Sequence, residues 1–176
     1  MITPEEFKSA FRLHPAGVAL ITADPGGSPV ALTASSVSAV SADPPLAMFS
    51  VSALSSSARN LRKADSVVIH LLSADNLDLA LLGAASGVDR FADESRWHRL
   101  PTGEPVFEEV KTWMRADILH RVDAGGSNVF VVTIVESRVA PDAAMCEGLV
   151  YRNRTWHRVD DSTVTSMPEL IGASAG

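Results

Sequence analysis

A mainly β domain, its strands closed into a barrel and its short helices set at the margins, is the fold that this 176-residue chain predicts. Three observations carry the prediction. Apolar segments of strand length recur between clusters of Gly, Pro, Asp and Ser, as in an antiparallel meander. From Val110 to Val122 one face reads Val110, Thr112, Met114, Ala116, Ile118, His120, Val122 and the other Lys111, Trp113, Arg115, Asp117, Leu119, Arg121. That is the period of a strand with two differing faces. Strands and helices do not alternate, which argues against a parallel sheet.

The elements follow in order. Thr3-Pro4-Glu5-Glu6 reads as a helix start, with Thr3 as N-cap, Pro4 in the first helical position and Glu6 completing a capping box. Phe7, Ala10 and Phe11 give this helix one apolar face, and Pro15 ends it near His14. A strand over 17–23 turns through Asp24-Pro25-Gly26-Gly27-Ser28-Pro29 and returns over 30–35 as a hairpin. After Asp43-Pro44-Pro45 a third strand covers 46–51. Ser55-Ser56-Ser57 then starts a short helix over 58–63. A fourth strand covers 67–72. Residues 75–82 form a helix capped by Asp75, with Leu77, Leu81 and Leu82 facing inward. The segment 83–105 is polar and irregular. Long strands over 110–122 and 129–139 flank the turn Asp123–Asn128, and short strands over 149–152 and 155–159 flank Asn153-Arg154. Residues 1–160 form one domain, and 161–176 form a flexible tail.

Composition excludes several function classes. Hydrophobic residues make up 46% of the chain, too many for a disordered protein and enough to suggest burial at an oligomer interface. No apolar run approaches the ~20 residues of a membrane span, and Pro4-Glu5-Glu6 is unlike a basic signal-peptide start. The expectation is a cytoplasmic protein that binds no membrane. A net charge of −6 likewise opposes nucleic-acid binding, so an anionic ligand must be held by local groups. Cys146 is the only cysteine, so it has no disulfide or redox partner within the chain. His14, His70, His98, His120 and His157 are scattered without metal-ligand spacing, and no metal site is expected. His70, inside Val68-Ile69-His70-Leu71, reads as a hydrogen-bonded core or interface residue.

The ordered set of short motifs resembles the flavin reductase-like family, the FMN-binding split barrels. The resemblance rests on His14-Pro15-Ala16-Gly17-Val18, Thr33-Ala34-Ser35-Ser36, Ser41-Ala42-Asp43-Pro44-Pro45, Met48-Phe49-Ser50-Val51-Ser52, Asp89-Arg90-Phe91-Ala92 and Thr102-Gly103-Glu104-Pro105-Val106. It implies a homodimer that binds FMN or FAD near the subunit interface. It also implies reduction of that flavin by NADH or NADPH, in some cases for a partner monooxygenase.

Residue chemistry supports this separately. Ser55, Ser56 and Ser57 at a helix start, with Arg59 in the first turn, can bind a phosphate, although one serine would suffice for capping. Thr33, Ala34, Ser35 and Ser36 are small and hydroxyl-rich, suited to a ribityl chain and ring edge. Ser50, Val51 and Ser52 would offer backbone groups to the pyrimidine edge. Arg90 reaches phosphate or ring, or is a loop arginine without a ligand. Trp97, Trp113 and Trp156 are more often packing residues than flavin platforms. No catalytic side chain is assigned.

One departure stands out. Active members carry Gly-Asp-His before the last long strand, where the histidine is thought to sit beside flavin and nicotinamide. Here the turn reads Gly125-Gly126-Ser127-Asn128, and Val132 stands at the apparent position of a later glycine. The alternative reading is therefore a flavin-binding module or accessory subunit with little reductase activity. A related enzyme reading uses a deazaflavin as reductant.

Overall fold

The computed structural model describes residues 1–163. Helix α1 (Pro4–Leu13) precedes a two-residue strand β1 (Ala16–Gly17) and the strands β2 (Ala19–Ala23), β3 (Val30–Ala34), β4 (Ser38–Ala42) and β5 (Pro45–Ser52). Helix α2 (Ser56–Leu61), strand β6 (Ser66–Leu71) and helix α3 (Leu77–Ala84) follow. The remaining strands are β7 (Trp97–Arg99), β8 (Pro105–Phe107), β9 (Thr112–Ala124), β10 (Ser127–Val139), β11 (Gly148–Arg152) and β12 (Thr155–Val159). The mainly β prediction holds, and the expected hairpins pair as read.

Seven strands form one antiparallel sheet in the order β3-β2-β6-β9-β10-β5-β4. It curls around a single interior in which Ile21, Phe49, Leu61, Ile69, Phe130 and Val132 are fully buried. Phe49 and Phe130 stack there at 5.0 Å. The edges do not meet as a ladder, since β3 ends the sheet on one side and β4 on the other. The barrel is split, and side chains close the seam.

β2 is buried along its whole length because both of its faces are covered. Ala19, Ile21 and Ala23 point into the barrel. Leu20 points outward into a second cluster with Ala31, Leu79, Ala80, Phe107 and Leu149, beneath α3 and the small sheet β1-β11-β12. His70 lies in this layer. Its Nδ1 meets the Leu20 carbonyl at 3.1 Å and its Nε2 meets the Phe107 N–H at 3.1 Å. A carbonyl can only accept and an N–H only donate, so the ring is the neutral Nδ1–H tautomer. Burial lowers its pKa to about 4, against the hydrogen bonds that raise it. The core role expected of His70 is what the structure contains.

Several local expectations are corrected. The strand over 17–23 breaks at Val18, because β1 joins β11 while β2 joins the main sheet. β4 was not foreseen: its residues are mostly exposed and carry no apolar alternation. Asp75 is not the cap of the next helix. Ser73 and Asn76 form a reciprocal capping box over a short 3-10 turn, after which α3 begins at Leu77. The fully buried residues of α3 are Leu79, Ala80 and Gly83; Leu77 and Leu82 pack against the same cluster as expected, whereas Leu81 is half exposed. Within 83–105, the segment read as irregular, lies β7, which pairs with β8. α1 forms as expected with its Thr3–Glu6 capping box, yet none of its residues is buried, and Phe7 and Phe11 contact each other at 4.7 Å on an open surface. Of the tail expected over 161–176, Asp161–Thr163 form a 3-10 turn and the rest lies outside the described residues.

Candidate functional site

The site begins at the seam. Beyond the end of β3 the Ser36 hydroxyl donates to the Ser50 carbonyl at 2.8 Å and accepts from the Ser50 N–H at 2.9 Å. One side chain thus bridges the segment after β3 to β5, which are not paired in the sheet. Beside this bridge lies a cleft of about 690 Å³ walled by the two strand ends, the start of α2 and the segment after α3.

Of the twelve residues expected to bind a ligand, Thr33, Ala34, Ser35, Ser36, Ser50, Val51, Ser52, Ser55, Ser56, Arg59 and Arg90 line this cleft. Segments from three separate parts of the chain are therefore brought to one place. Ser57 is not among them. The helical turn of α2 points it inward with Ala58 and Leu61, where its hydroxyl accepts from Arg90 Nη1 at 3.3 Å. Ser57 holds the arginine instead of lining the cleft.

Some hydroxyls and backbone groups are already committed. Thr33 Oγ1 donates to the Ala80 carbonyl at 2.7 Å, pinning α3 to β3. Ser36 is occupied by Ser50, and the Ser52 carbonyl accepts from the Ser55 N–H at 3.2 Å. The backbone groups of Ser50 that were expected to face a ligand are thus used within the seam. Among the described residues, the hydroxyls of Ser35, Ser50, Ser55 and Ser56 bond no protein atom. Ser55 is the N-cap of α2 but makes no side-chain cap bond, so simple capping does not account for it.

Charge enters from two arginines. Arg59 is exposed on α2 and pairs with no carboxylate among the described residues. Arg90 is half buried, bonded through Nη1 to Ser57 and through Nη2 to the Ala85 carbonyl. Its Nε is buried without a partner among the described residues. Such an orphaned donor is costly in a folded chain and acquires an acceptor when an anion binds beside it. Among the described residues no Asp or Glu lines the cleft.

Gly83, Ala84, Ser86, Gly87 and Leu54 also line the cleft and were not foreseen. The signal was available: Gly83-Ala84-Ala85-Ser86-Gly87 has the same small, hydroxyl-bearing composition that singled out residues 33–36. Gly83 permits close packing, since a Cβ there would stand 2.3 Å from Thr33 Oγ1 and 2.4 Å from Leu20 Cδ1.

The Gly125-Gly126 turn sits at the rim, where the Gly126 carbonyl accepts from the Ala53 N–H at 3.0 Å. Asn128 is buried, and its Oδ1 accepts from Arg62 Nη1 at 2.5 Å, tying the end of α2 to this hairpin. Val132 is not near the opening: its side chain is fully buried in the barrel interior and blocks nothing in the cleft. The tryptophans pack, as expected. Trp113 lies with Val68, Leu100 and Val106, Trp97 meets Phe91 edge-on at 5.0 Å, and Trp156 meets Tyr151 at 4.7 Å.

Comparison with known proteins agrees with this geometry. The model of the flavin reductase like domain matches residues 11–160. An NADH:FMN oxidoreductase of Rhodococcus qingshengii is 39% identical over 155 residues, covering 87% of this chain and 80% of the relative. The reductase component of a 4-nitrophenol 4-monooxygenase/4-nitrocatechol 2-monooxygenase from Rhodococcus opacus is 27% identical over 154 residues, covering 88% and 80%. Among solved structures, a flavin reductase domain protein from Arthrobacter sp. FB24 superimposes with a TM-score of 0.84 at 31% identity. That match covers 96% of this chain and 100% of the other.

Proposed function

Because the chain belongs to the flavin reductase like domain family, we propose that it is an NAD(P)H:flavin oxidoreductase acting on FMN, with FAD as the alternative flavin. The observation that carries this reading is the seam cleft, which pairs unbonded serine hydroxyls with two arginines and contains no acid. A flavin mononucleotide asks for that donor set: a cationic end for its phosphate, hydroxyl partners for its ribityl chain and a narrow slot for its ring.

Arg59, Arg90, Ser55 and Ser56 hold the phosphate. α2 is only six residues long, so the guanidinium groups supply most of the charge and its helix dipole little. Arg90 is preset by Ser57 and the Ala85 carbonyl, which lowers the entropy lost when it closes on an anion. Ser35 and Ser50 face the ribityl chain and ring edge. When bound, the flavin supplies the ring that takes up hydride from a dihydronicotinamide. The chain's part is to hold that ring at a fixed distance from the donor and to exclude water. The Gly125–Asn128 turn lies on the rim beside Ala53 and leaves the approach open to the nicotinamide, without the Asp-His pair of other members.

Two further readings belong with this. The chain is a cytoplasmic homodimer, supported by the wholly unburied α1 with its apolar Phe7, Phe11 and Leu13. Among the described residues no helix is long and apolar enough to cross a membrane. Sedimentation at micromolar concentration is expected to give twice the chain mass of 18.7 kDa, and a monomer would reject the dimer. The chain also passes reduced flavin to a partner monooxygenase, a reading supported by the Rhodococcus opacus relative, which by its name is the reductase component of a monooxygenase. The enzyme reading is tested by steady-state oxidation of NADH and NADPH with added FMN, FAD or riboflavin. Turnover requiring both nucleotide and flavin supports it; flavin binding without turnover supports the module reading.

A further inference from the structure

Both ends of α2 are moored to one hairpin. Ahead of the helix the Ala53 N–H donates to the Gly126 carbonyl at 3.0 Å, at the turn between β9 and β10. Behind it stands Arg62, the C-cap residue, which is not one of the residues lining the seam cleft. Its Nη1 donates to Asn128 Oδ1 at 2.5 Å and to Asp123 Oδ1 at 2.8 Å. Asp123 and Asn128 face each other across the β9–β10 ladder, and Asn128 also stands opposite Val51 of β5, which lines the cleft. One guanidinium thus joins the end of α2 to a cross-strand pair beside the cleft wall.

Asn128 makes this clamp specific. Asn128, Phe130 and Val132 form the buried row of β10, so the amide oxygen lies away from water and depends on Arg62 for its hydrogen bond. That bond is charge-assisted and directional. On its other side α2 is held by Ala58 and Leu61, whose apolar contacts fix its depth in the core but carry no direction. At six residues the helix is too short to keep its own geometry. Arg59 lies three residues before Arg62, on the same helical face. The bonds of Arg62 therefore set the rotation at which Arg59 meets the cleft, and they keep the second guanidinium on Asp123.

We propose that Arg62 is a positioning residue for the flavin phosphate: its clamp on Asn128 and Asp123 sets the rotation of α2, and with it the spacing of Ser55, Ser56 and Arg59. Arg62 acts through these three and does not touch the ligand. The inference rests on the reading of the seam cleft as the flavin site with its phosphate at the start of α2. Donors held in place lose less entropy on binding than donors on a loose helix, and a donor displaced by about 1 Å forfeits most of its hydrogen bond.

The test compares FMN with riboflavin, which lacks the phosphate, by quenching of flavin fluorescence on the full chain. Arg62→Met removes the clamp from one side. Asn128→Leu removes it from the other, together with the buried amide's need for a partner, which protects the fold. Each is expected to lower FMN affinity about 3- to 10-fold with riboflavin affinity unchanged, and the double variant to match Arg62→Met. Arg62→Lys keeps a donor without the planar fork and is expected to recover part of the loss. An FMN-to-riboflavin affinity ratio unchanged in both single variants, whatever their thermal midpoints, overturns the proposal and leaves the clamp structural. A ratio lowered by Arg62→Met but not by Asn128→Leu also overturns it and makes Arg62 a direct phosphate contact. If Arg59→Ala leaves the ratio unchanged as well, the phosphate lies elsewhere and the reading of the cleft fails instead.

Discussion

Arg59→Ala separates phosphate recognition from everything else the seam cleft does. Arg59 is exposed and its side chain makes no hydrogen bond or ion pair among the described residues, so its removal should leave stability within about 0.5 kcal/mol of wild type. A hydrogen bond to a charged group contributes roughly 1.5–3 kcal/mol, and solvent exposure moves Arg59 to the lower end, about 1–2 kcal/mol. That corresponds to a loss of FMN affinity of about 5- to 30-fold. Riboflavin lacks the phosphate and should be unaffected. Arg90 is the less clean probe: its loss would remove a donor from Ser57 and the Ala85 carbonyl, and the phosphate effect would mix with a stability loss of about 1 kcal/mol. The assay is quenching of flavin fluorescence on titration with protein, run in parallel for FMN and riboflavin. Equal weakening of both ligands, or of neither, would refute the assignment of the phosphate to this end of the cleft.

His70 is held neutral with a pKa near 4 against 6.5 unfolded. Above 6.5 it contributes no slope; between 6.5 and 4 only the unfolded chain takes up its proton, so stability falls by about 3 kcal/mol in all as acid is added. Urea midpoints measured across that range should drop more steeply for wild type than for His70→Asn, and parallel slopes would refute the neutral buried ring. Gly83→Ala drives a Cβ against Thr33 and Leu20 and should destabilise the chain by about 1–3 kcal/mol in thermal or urea unfolding, an expectation that an unchanged midpoint would reject. At the Gly125–Asn128 turn, a Cβ on Gly126 meets nothing within 4 Å, which leaves room to start a side chain there, and the test is Gly126→Asp with Ser127→His. The pair should lower the KM for NAD(P)H and leave FMN affinity unchanged; an unaltered KM would show that nicotinamide docking does not depend on this turn.

Much of the site was legible because its residues violate strand composition. Runs such as Thr33–Ser36 and Ser50–Ser52 place small polar side chains where a core strand would carry bulk, and that departure survives into the structure as the cleft wall. Ser57 was misplaced because a run of three serines does not reveal which one the helical turn points inward. Residues 83–87 carry the same composition but directly follow the leucine-rich α3, which masked them. Val132, which the motif places at the position of a later glycine, lies on the inward face of β10, and a motif does not tell which face of a strand a residue occupies. The contact of α1 with the β11–β12 turn was beyond sequence reading altogether: Arg152 meets Leu13 across 139 positions, and no local pattern announces it. β4 was missed for the opposite reason, since an exposed edge strand carries no apolar alternation to detect.

Anaerobic stopped-flow mixing of NADH with protein and FMN tests the central claim most directly. The oxidised flavin absorbance is expected to bleach in a protein-dependent phase that saturates with NADH, and Arg59→Ala to shift the FMN dependence of that phase. Flavin that binds the protein yet keeps its oxidised spectrum with both NADH and NADPH would contradict it.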